Sequence, residues 1–398
     1  MGIINNIKGL LNNGSRGYNS KFWGFGIGST GVNYIELEKL ALTYDSIPEV
    51  AIVIDRLASM CSNVKIGVED RQGNKTFEHP AIELLRNPNP LQDQQELLKE
   101  HIVFYSLFGN TYQYGNTVMS NPLPKAFWNL NPLYVEPKFT NKLYKQVDLK
   151  GIIKEYKVRN FFGGISDKYK TEEVLMKNEA SPNHPILGTS KLHSLQKPIS
   201  NIEGVYETRN IFIYKRGAIG LLTPEQDKEG MGNLPEKHEI KEIQKEYQET
   251  YGALNNGDAI AIGAVPMKWT PIVMPVKDLM LFEEVDEDFN RIIDAYNLNR
   301  NMFSQTKGSS FNNVKNGIIQ GYQDAAFPLV DDWLNSLSEK WGLSANGEKL
   351  FSDWTNVPIL QGDEVKKAQT EKIKAETYQL MLNNGISETE ARQILNYA

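Results

Sequence analysis

The chain has 398 residues, 40% hydrophobic and 23% charged, a length suited to two or three compact units and a composition that excludes a disordered or membrane-embedded polymer. Its 43 Lys plus Arg stand against 49 Asp plus Glu, a net charge of −6, which excludes a static nucleic-acid binder with a basic surplus. The single Cys61 cannot close an internal disulfide, and no stretch reaches the ~18 to 20 apolar residues of a membrane helix, so neither a membrane partner nor a secretory leader is expected.

Residues 1–33 are rich in Gly, Asn and Ser around Phe22, Trp23 and Phe25 and read as a flexible N-terminal arm that only an outside partner would order. Within it Gly26-Ile-Gly28-Ser-Thr-Gly31 fits a GxGxxG pattern, but Ser20 to Phe25 show no preceding strand, so it reads as a glycine tract and not a dinucleotide site. Residues 46–61 predict a helix with Ser46 as N-cap, Pro48 in the first turn and Val50, Val53, Ile54, Leu57 and Met60 on one face. A strand is predicted at Val64, Ile66 and Val68 with Arg71-Gln-Gly73-Asn as its turn, followed by a short helix from His79-Pro80 to Asn87-Pro88. Residues 93–108 predict an amphipathic helix stopped by Gly109-Asn110, then a strand at Thr111 to Tyr114 and a small sheet within 125–180.

From Pro198 a long helix is predicted, with Ile199, Ile202, Val205 and Phe212 in helical spacing and a stop at Gly217. Residues 218–275 read as an insertion holding an apolar run at 219–222, a charged helix at 235–251 and a strand at 259–262. A second long helix is expected from Asp278 to Phe303, ~39 Å at 1.5 Å per residue, carrying Glu283, Glu284, Asp286, Glu287 and Asp288 within two turns. Gln305 to Asn316 reads as a polar loop, 318–341 as a helix kinked at Phe327-Pro328, 349–354 as a strand, and 364–383 as a helix. Ser387-Glu-Thr-Glu390 forms a capping box for a last short helix.

A search for chemistry finds no phosphate-cradling GxxxxGK[ST], no HExxH and no GxSxG. His79, His101, His184, His193 and His238 lie far apart; His184 and His193 could meet across a loop but lack an obvious third ligand, so no metal and no cofactor are expected. The adjacent pairs Asp286-Glu287 and Asp331-Asp332 point to different sides of a helix, unlike an acid/base couple. The residues alone describe a mixed α+β, helix-rich, non-catalytic protein of several units.

The order of segments says more than any motif. His79-Pro-Ala-Ile-Glu-Leu-Leu-Arg-Asn-Pro-Asn89, Leu107-Phe-Gly109-Asn110-Thr-Tyr112, Gly188-Thr-Ser190-Lys-Leu192 leading to a helix that ends in Phe212-Ile-Tyr-Lys-Arg-Gly217, the helix, loop and helix with Phe327-Pro328, and Gly385-Ile-Ser-Glu-Thr-Glu390-Ala-Arg392 follow one another along residues 40–398. This succession resembles the portal protein of tailed bacteriophages, the head-tail connector, in its compact siphovirus and gene-transfer-agent type. The chain departs from that pattern at Thr389, where Asn is usual, and at Arg300-Asn-Met-Phe303 and Ser309-Ser-Phe311, which stand where "GVP" and an aromatic "TY" are usual.

The resemblance implies a ring-forming portal fold: an α/β wing at 34–188 and 343–362, a paired-helix stem at 189–217 and 276–303, an α/β clip at 218–275, a tunnel loop at 304–317, a long kinked helix at 318–342 and a helical crown at 363–398. It also implies a dodecamer at one capsid vertex of a virion assembled in the host cytoplasm. Double-stranded DNA would pass through it, with the terminase large subunit, major capsid protein and head-completion or adaptor protein as partners. Under it Glu283, Glu284, Asp286, Glu287 and Asp288 would line the channel, and Lys307, Arg300 and Lys315 with Ser309 and Ser310 would meet DNA from the tunnel loop. Lys237, Glu239, Lys241, Glu242, Lys245, Glu246 and Glu249 would form the docking face of the clip. The bland alternatives are a solvated acidic face and ordinary surface lysines. A non-viral intracellular scaffold or adaptor, and an uncharacterised hydrolase, are the other classes left open.

Overall fold

The computed structural model describes residues 34–116, 123–140, 143, 146, 148–159, 167–214, 220–224, 238, 267–271, 281–303 and 311–383. The chain divides into two units, Met1–His193 with Ile293–Ala398, and Ser194–Ile292. The first unit opens with α1 (Tyr34–Ser46) and α2 (Pro48–Ser62). Ser46, expected to cap α2, instead ends α1, and its hydroxyl donates to Leu42 O at 2.6 Å. Ile47 takes the position before α2 with extended φ −109° and ψ 101°, because the ring of Pro48 clashes with a helical preceding residue. Val50, Val53, Ile54, Leu57 and Met60 are all buried, as their spacing predicts.

The chain continues through β1 (Lys65–Glu69), β2 (Lys75–Thr76), α3 (Pro80–Arg86) and α4 (Gln94–Phe108). The α4 start is a reciprocal cap: Asp93 Oδ1 accepts from the Glu96 N–H and Glu96 Oε2 accepts from the Asp93 N–H, satisfying two donors that the first turn leaves open. Its end is Gly109 at φ 68°, a left-handed conformation that any side chain would strain. Then come β3 (Asn110–Gly115), β4 (Phe127–Leu130), β5 (Val135–Phe139), the single turn α5 (Leu149–Ile152), β6 (Ile153–Val158), β7 (Asp167–Lys170) and β8 (Val174–Asn178). The small sheet anticipated within 125–180 is two antiparallel sheets, ordered β4-β3-β8 and β5-β6-β7. Tyr112, Val135, Ile153, Tyr156 and Val174, drawn from both, form one apolar cluster.

The second unit holds α6 (Gln196–Tyr214), β9 (Gly220–Pro224), β10 (Met267–Pro271) and most of α7 (Leu281–Ala295). Pro198 lies in the first turn of α6, where a missing N–H removes no helical bond. The apolar run at 219–222 falls largely in β9, a strand that was not predicted there, antiparallel to β10 with Gly220 opposite Pro271; β10 was not predicted either. The charged helix at 235–251 apart from His238, the strand at 259–262, the glycine tract at 26–31 and the capping box at 387–390 lie outside the described residues.

Back in the first unit the chain runs α8 (Phe311–Gly321), a wide turn at Tyr322–Ala326, α9 (Phe327–Lys340), α10 (Leu343–Asn346), β11 (Lys349–Asp353) and α11 (Pro358–Asn383). α8 begins seven residues before the expected 318, so part of the predicted polar loop is helical. Phe327 N–H donates to Tyr322 O, five residues back. Pro328 has no N–H for the carbonyl of Asp324, and the helix widens by one residue to accommodate its ring. β11 pairs with β1 from Lys65 opposite Asp353 to Glu69 opposite Lys349, completing the sheet β11-β1-β2.

Candidate functional site

Among the described residues no acid, base and nucleophile converge, so the features there able to carry function are an acidic helix face, a helix interrupted before Pro328, and the motifs that hold them. On α7 each residue advances about 100°, so Val285, Phe289 and Ile292 fall on one side and Glu283, Glu284, Asp286 and Glu287 fan across the other. The structure follows this division: Phe289 and Ile292 are buried, while Glu283, Glu284, Asp286 and Glu287 are exposed. Asp288 parts from its neighbours. It is 4% exposed, accepts from Asn201 Nδ2 of α6 at 3.0 Å and pairs with Arg291 Nη1 at 3.3 Å. Expected on a channel wall, it is instead the polar tie between α6 and α7, because its angular position borders the apolar side.

The second long helix stops earlier than predicted. At Asn297 the backbone turns to φ 56°, the Asn297 N–H donates to Asp294 O at 3.0 Å and the Leu298 N–H to Ile293 O at 3.2 Å. These two bonds with the buried pair Ile293 and Leu298 make a Schellman stop, and the 15 residues of α7 span about 22 Å, not the ~39 Å expected. The apolar run through Tyr296 and Phe303 concealed this; Asn297, the residue type that best tolerates a left-handed turn after Gly, was the available signal. Beyond it Arg300 binds Asp294 through Nε to Oδ1 at 3.1 Å and through its terminal nitrogen to Oδ2, so its charge is engaged within the chain. Lys315 lies on α8 and is half-buried. Lys307, Ser309 and Ser310, and the clip residues Lys237, Glu239, Lys241, Glu242, Lys245, Glu246 and Glu249, lie outside the described residues.

Two quoted motifs, 78 residues apart, turn out to be one joint. Asn110 Nδ2 donates to Gly188 O at 2.9 Å and its Oδ1 accepts from the Gly188 N–H at 2.7 Å. A Cβ on Gly188 would lie 2.1 Å from Gly109 O, so only glycine fits. Ser190 Oγ accepts from the Leu192 N–H at 3.1 Å, opening the short turn Lys191–His193 that plugs the fully buried Leu192.

The histidines considered as a metal pair serve separate neighbours. His184 Nδ1 accepts from the Ile186 and Leu187 N–H groups at 3.1 and 2.7 Å, while His193 Nε2 lies 2.9 Å from Glu36 Oε1. Among the described residues no group of three or more His, Cys, Asp or Glu is placed to hold a metal, and no helix is long and apolar enough to cross a membrane.

The phage portal protein model matches residues 48–396. The chain belongs to the phage portal protein family. An uncharacterized protein of Rickettsia bellii (strain RML369-C) is 20% identical over 350 residues, 84% of this portal chain and 86% of that one. Among solved structures, a chain in the neck of a native gene transfer agent particle computed with C12 symmetry superposes with a TM-score of 0.59 at 17% identity, covering 93% of this chain and 96% of that one. A HK97-family phage portal protein from Corynebacterium diphtheriae gives 0.54 at 10% identity, covering 81% and 96%. The portal fold is therefore mixed α and β and helix-rich, as expected.

Proposed function

We propose that this chain is the subunit of a ring-shaped portal at one vertex of a capsid, through which double-stranded DNA is packaged and later released. The observation that carries the reading is the family match over residues 48–396; the likeness to a chain in a neck of C12 symmetry supports a twelve-fold ring. Such a ring would carry roughly −72 charges at −6 per subunit. Glu283, Glu284, Asp286 and Glu287, exposed on one side of α7, would face the channel. Duplex DNA bears one negative charge per about 1.7 Å, so such a wall repels it over a screening length of ~8 to 10 Å, centring the duplex without gripping it.

In this reading Lys307, with Ser309 and Ser310, makes intermittent phosphate contacts from the tunnel loop and Lys315 adds one from the first turns of α8, and the mixed-charge clip segment from Lys237 to Glu249 docks the terminase motor during packaging and head-completion proteins afterwards. The major capsid protein surrounds the ring, which can also nucleate capsid assembly. The chain itself performs no catalytic step.

Negative-stain microscopy of the purified protein tests the reading: rings with a central channel are expected, and monomers or dimers at all concentrations would overturn it. Combining Glu283→Gln, Glu284→Gln, Asp286→Asn and Glu287→Gln should leave rings intact but alter packaging rate and DNA retention. Unchanged packaging and retention would remove the acids from the channel wall.

A further inference from the structure

The quoted motif that ends in Asn87-Pro88-Asn89-Pro90 builds a turn with more restraint than a surface loop of its size needs. Asn89 is 8% exposed; its Nδ2 donates to Gln92 Oε1 and to Phe127 O, both at 3.0 Å, and its Oδ1 accepts from the Leu91 N–H at 2.9 Å. Asn89 and Gln92 pair as a bridge, the Phe127 N–H donates to Pro88 O at 2.7 Å, and Pro88 and Pro90 each fix one φ angle. On this turn stands Leu91, 78% exposed, the most exposed large hydrophobic side chain among the described residues. A fixed turn presenting an apolar residue loses little further entropy when that residue is buried against a partner.

At the other end of α4, eleven residue steps or about 17 Å beyond its first residue, the same unit carries a cavity of about 340 Å³ with Leu57, Tyr105, Tyr296, Ala325, Pro328 and Leu329 in its wall. Its lining also holds three carboxylates, Glu179, Asp324 and Asp332, against Lys191. Truncating a buried leucine leaves a void on the order of 150 Å³, so this cavity admits a leucine with a proline behind it. Exposed Arg86 and Lys125 flank the turn, while Asp93 and Glu96 are occupied in capping α4 and Glu100 accepts from Gln92 Nε2 and Asn129 Nδ2. Charge and shape are thus complementary between two different places on one chain.

We propose that Leu91 of one copy seats in the α4–α9 cavity of a second copy, head to tail, and that this contact joins neighbouring subunits. Knob and cavity stand at opposite ends of one rigid helix and cannot meet within a chain. Two unlike, complementary patches generate a heterologous interface, which repeats from copy to copy and closes when the rotation per copy divides a full turn. The proposal rests on the ring reading and assigns it specific contacts.

The test is assembly followed by light scattering and mass photometry across a concentration series. Leu91→Asp alters an exposed position, so its circular dichroism and melting should match the parent, while the concentration for half assembly should rise at least tenfold. Leu329→Glu, on the cavity wall, should do the same. An equimolar mixture of the two variants should form heterodimers that grow no further, since the Leu91→Asp chain keeps its cavity and the Leu329→Glu chain keeps its knob. Rings formed by Leu91→Asp at the parent concentration, or a mixture indistinguishable from the separate variants, would overturn the contact while leaving the ring reading intact. A parent protein that never forms rings would overturn both.

Discussion

Trp333, 1% exposed, shows how single residues hold the first unit together. Its indole N–H donates to Gln113 Oε1 at 2.7 Å, Gln113 Nε2 to Asn129 Oδ1 at 2.7 Å, and Asn129 Nδ2 to Leu97 O at 2.7 Å and Glu100 Oε2 at 3.0 Å. Each link satisfies a group that would otherwise be stranded away from water. Trp333→Phe leaves Gln113 Oε1 without its donor and should cost about 1 to 3 kcal/mol, measured by urea unfolding. Beside Trp333, with ring centroids 5.6 Å apart, His101 is 3% exposed and its Nδ1 has no partner among the described residues. Burial first, and then the Lys177 charge, push its pKa down to about 3. The folded imidazole stays neutral below pH 6.5 while the unfolded one takes up a proton, so stability falls as pH drops from about 6.5 toward 3, by about 1.4 kcal/mol per unit. His101→Gln should flatten that part of the stability curve relative to the parent, read as melting temperature at pH 6.5, 5.5 and 4.5. Neither role was legible in sequence: His101 was read only as one of five scattered histidines and Trp333 was not singled out, because Gln113, which the indole binds, lies 220 residues away.

At the scale of elements, the helices with strong local punctuation were readable. α4 has Asp93 and Glu96 at one end and Gly109 at the other, signals contained in a few adjacent residues. α7 was misjudged because its apolar spacing continues past its true end. Asn297→Gly should keep or slightly raise stability, since Gly adopts φ 56° freely, whereas Asn297→Val should cost about 1 to 2 kcal/mol; equal melting temperatures for the two variants would remove the Schellman stop as a determinant. A disturbance of the helix at Pro328 was anticipated from the proline itself, but its form, the widened turn at Tyr322–Ala326, was not. Its form depends on what packs around it: Tyr322 meets Trp354 edge-to-face and Phe327 meets it at a tilt, with centroids 5.6 and 4.9 Å away.

For the whole molecule, the net charge of −6 excludes tight static DNA binding and suits a wall that DNA slides past. If the segment between β9 and β10 is the docking clip, deleting 224–250 should leave rings in electron micrographs yet abolish terminase-driven packaging; normal packaging by that variant would refute the assignment. The sequence by itself determined the class of the molecule, the order of its segments, most helix positions and, through that order, its resemblance to portal proteins, because caps, prolines and apolar periodicity act over a few residues. Only the tertiary structure decided that Lys65–Glu69 pairs with Lys349–Asp353, that Asn110 clasps Gly188, that Asp288 faces α6 and not solvent, and that Leu91 stands exposed on a braced turn. Each of these depends on which surface a distant segment offers, and a residue's own neighbours in sequence carry no record of that.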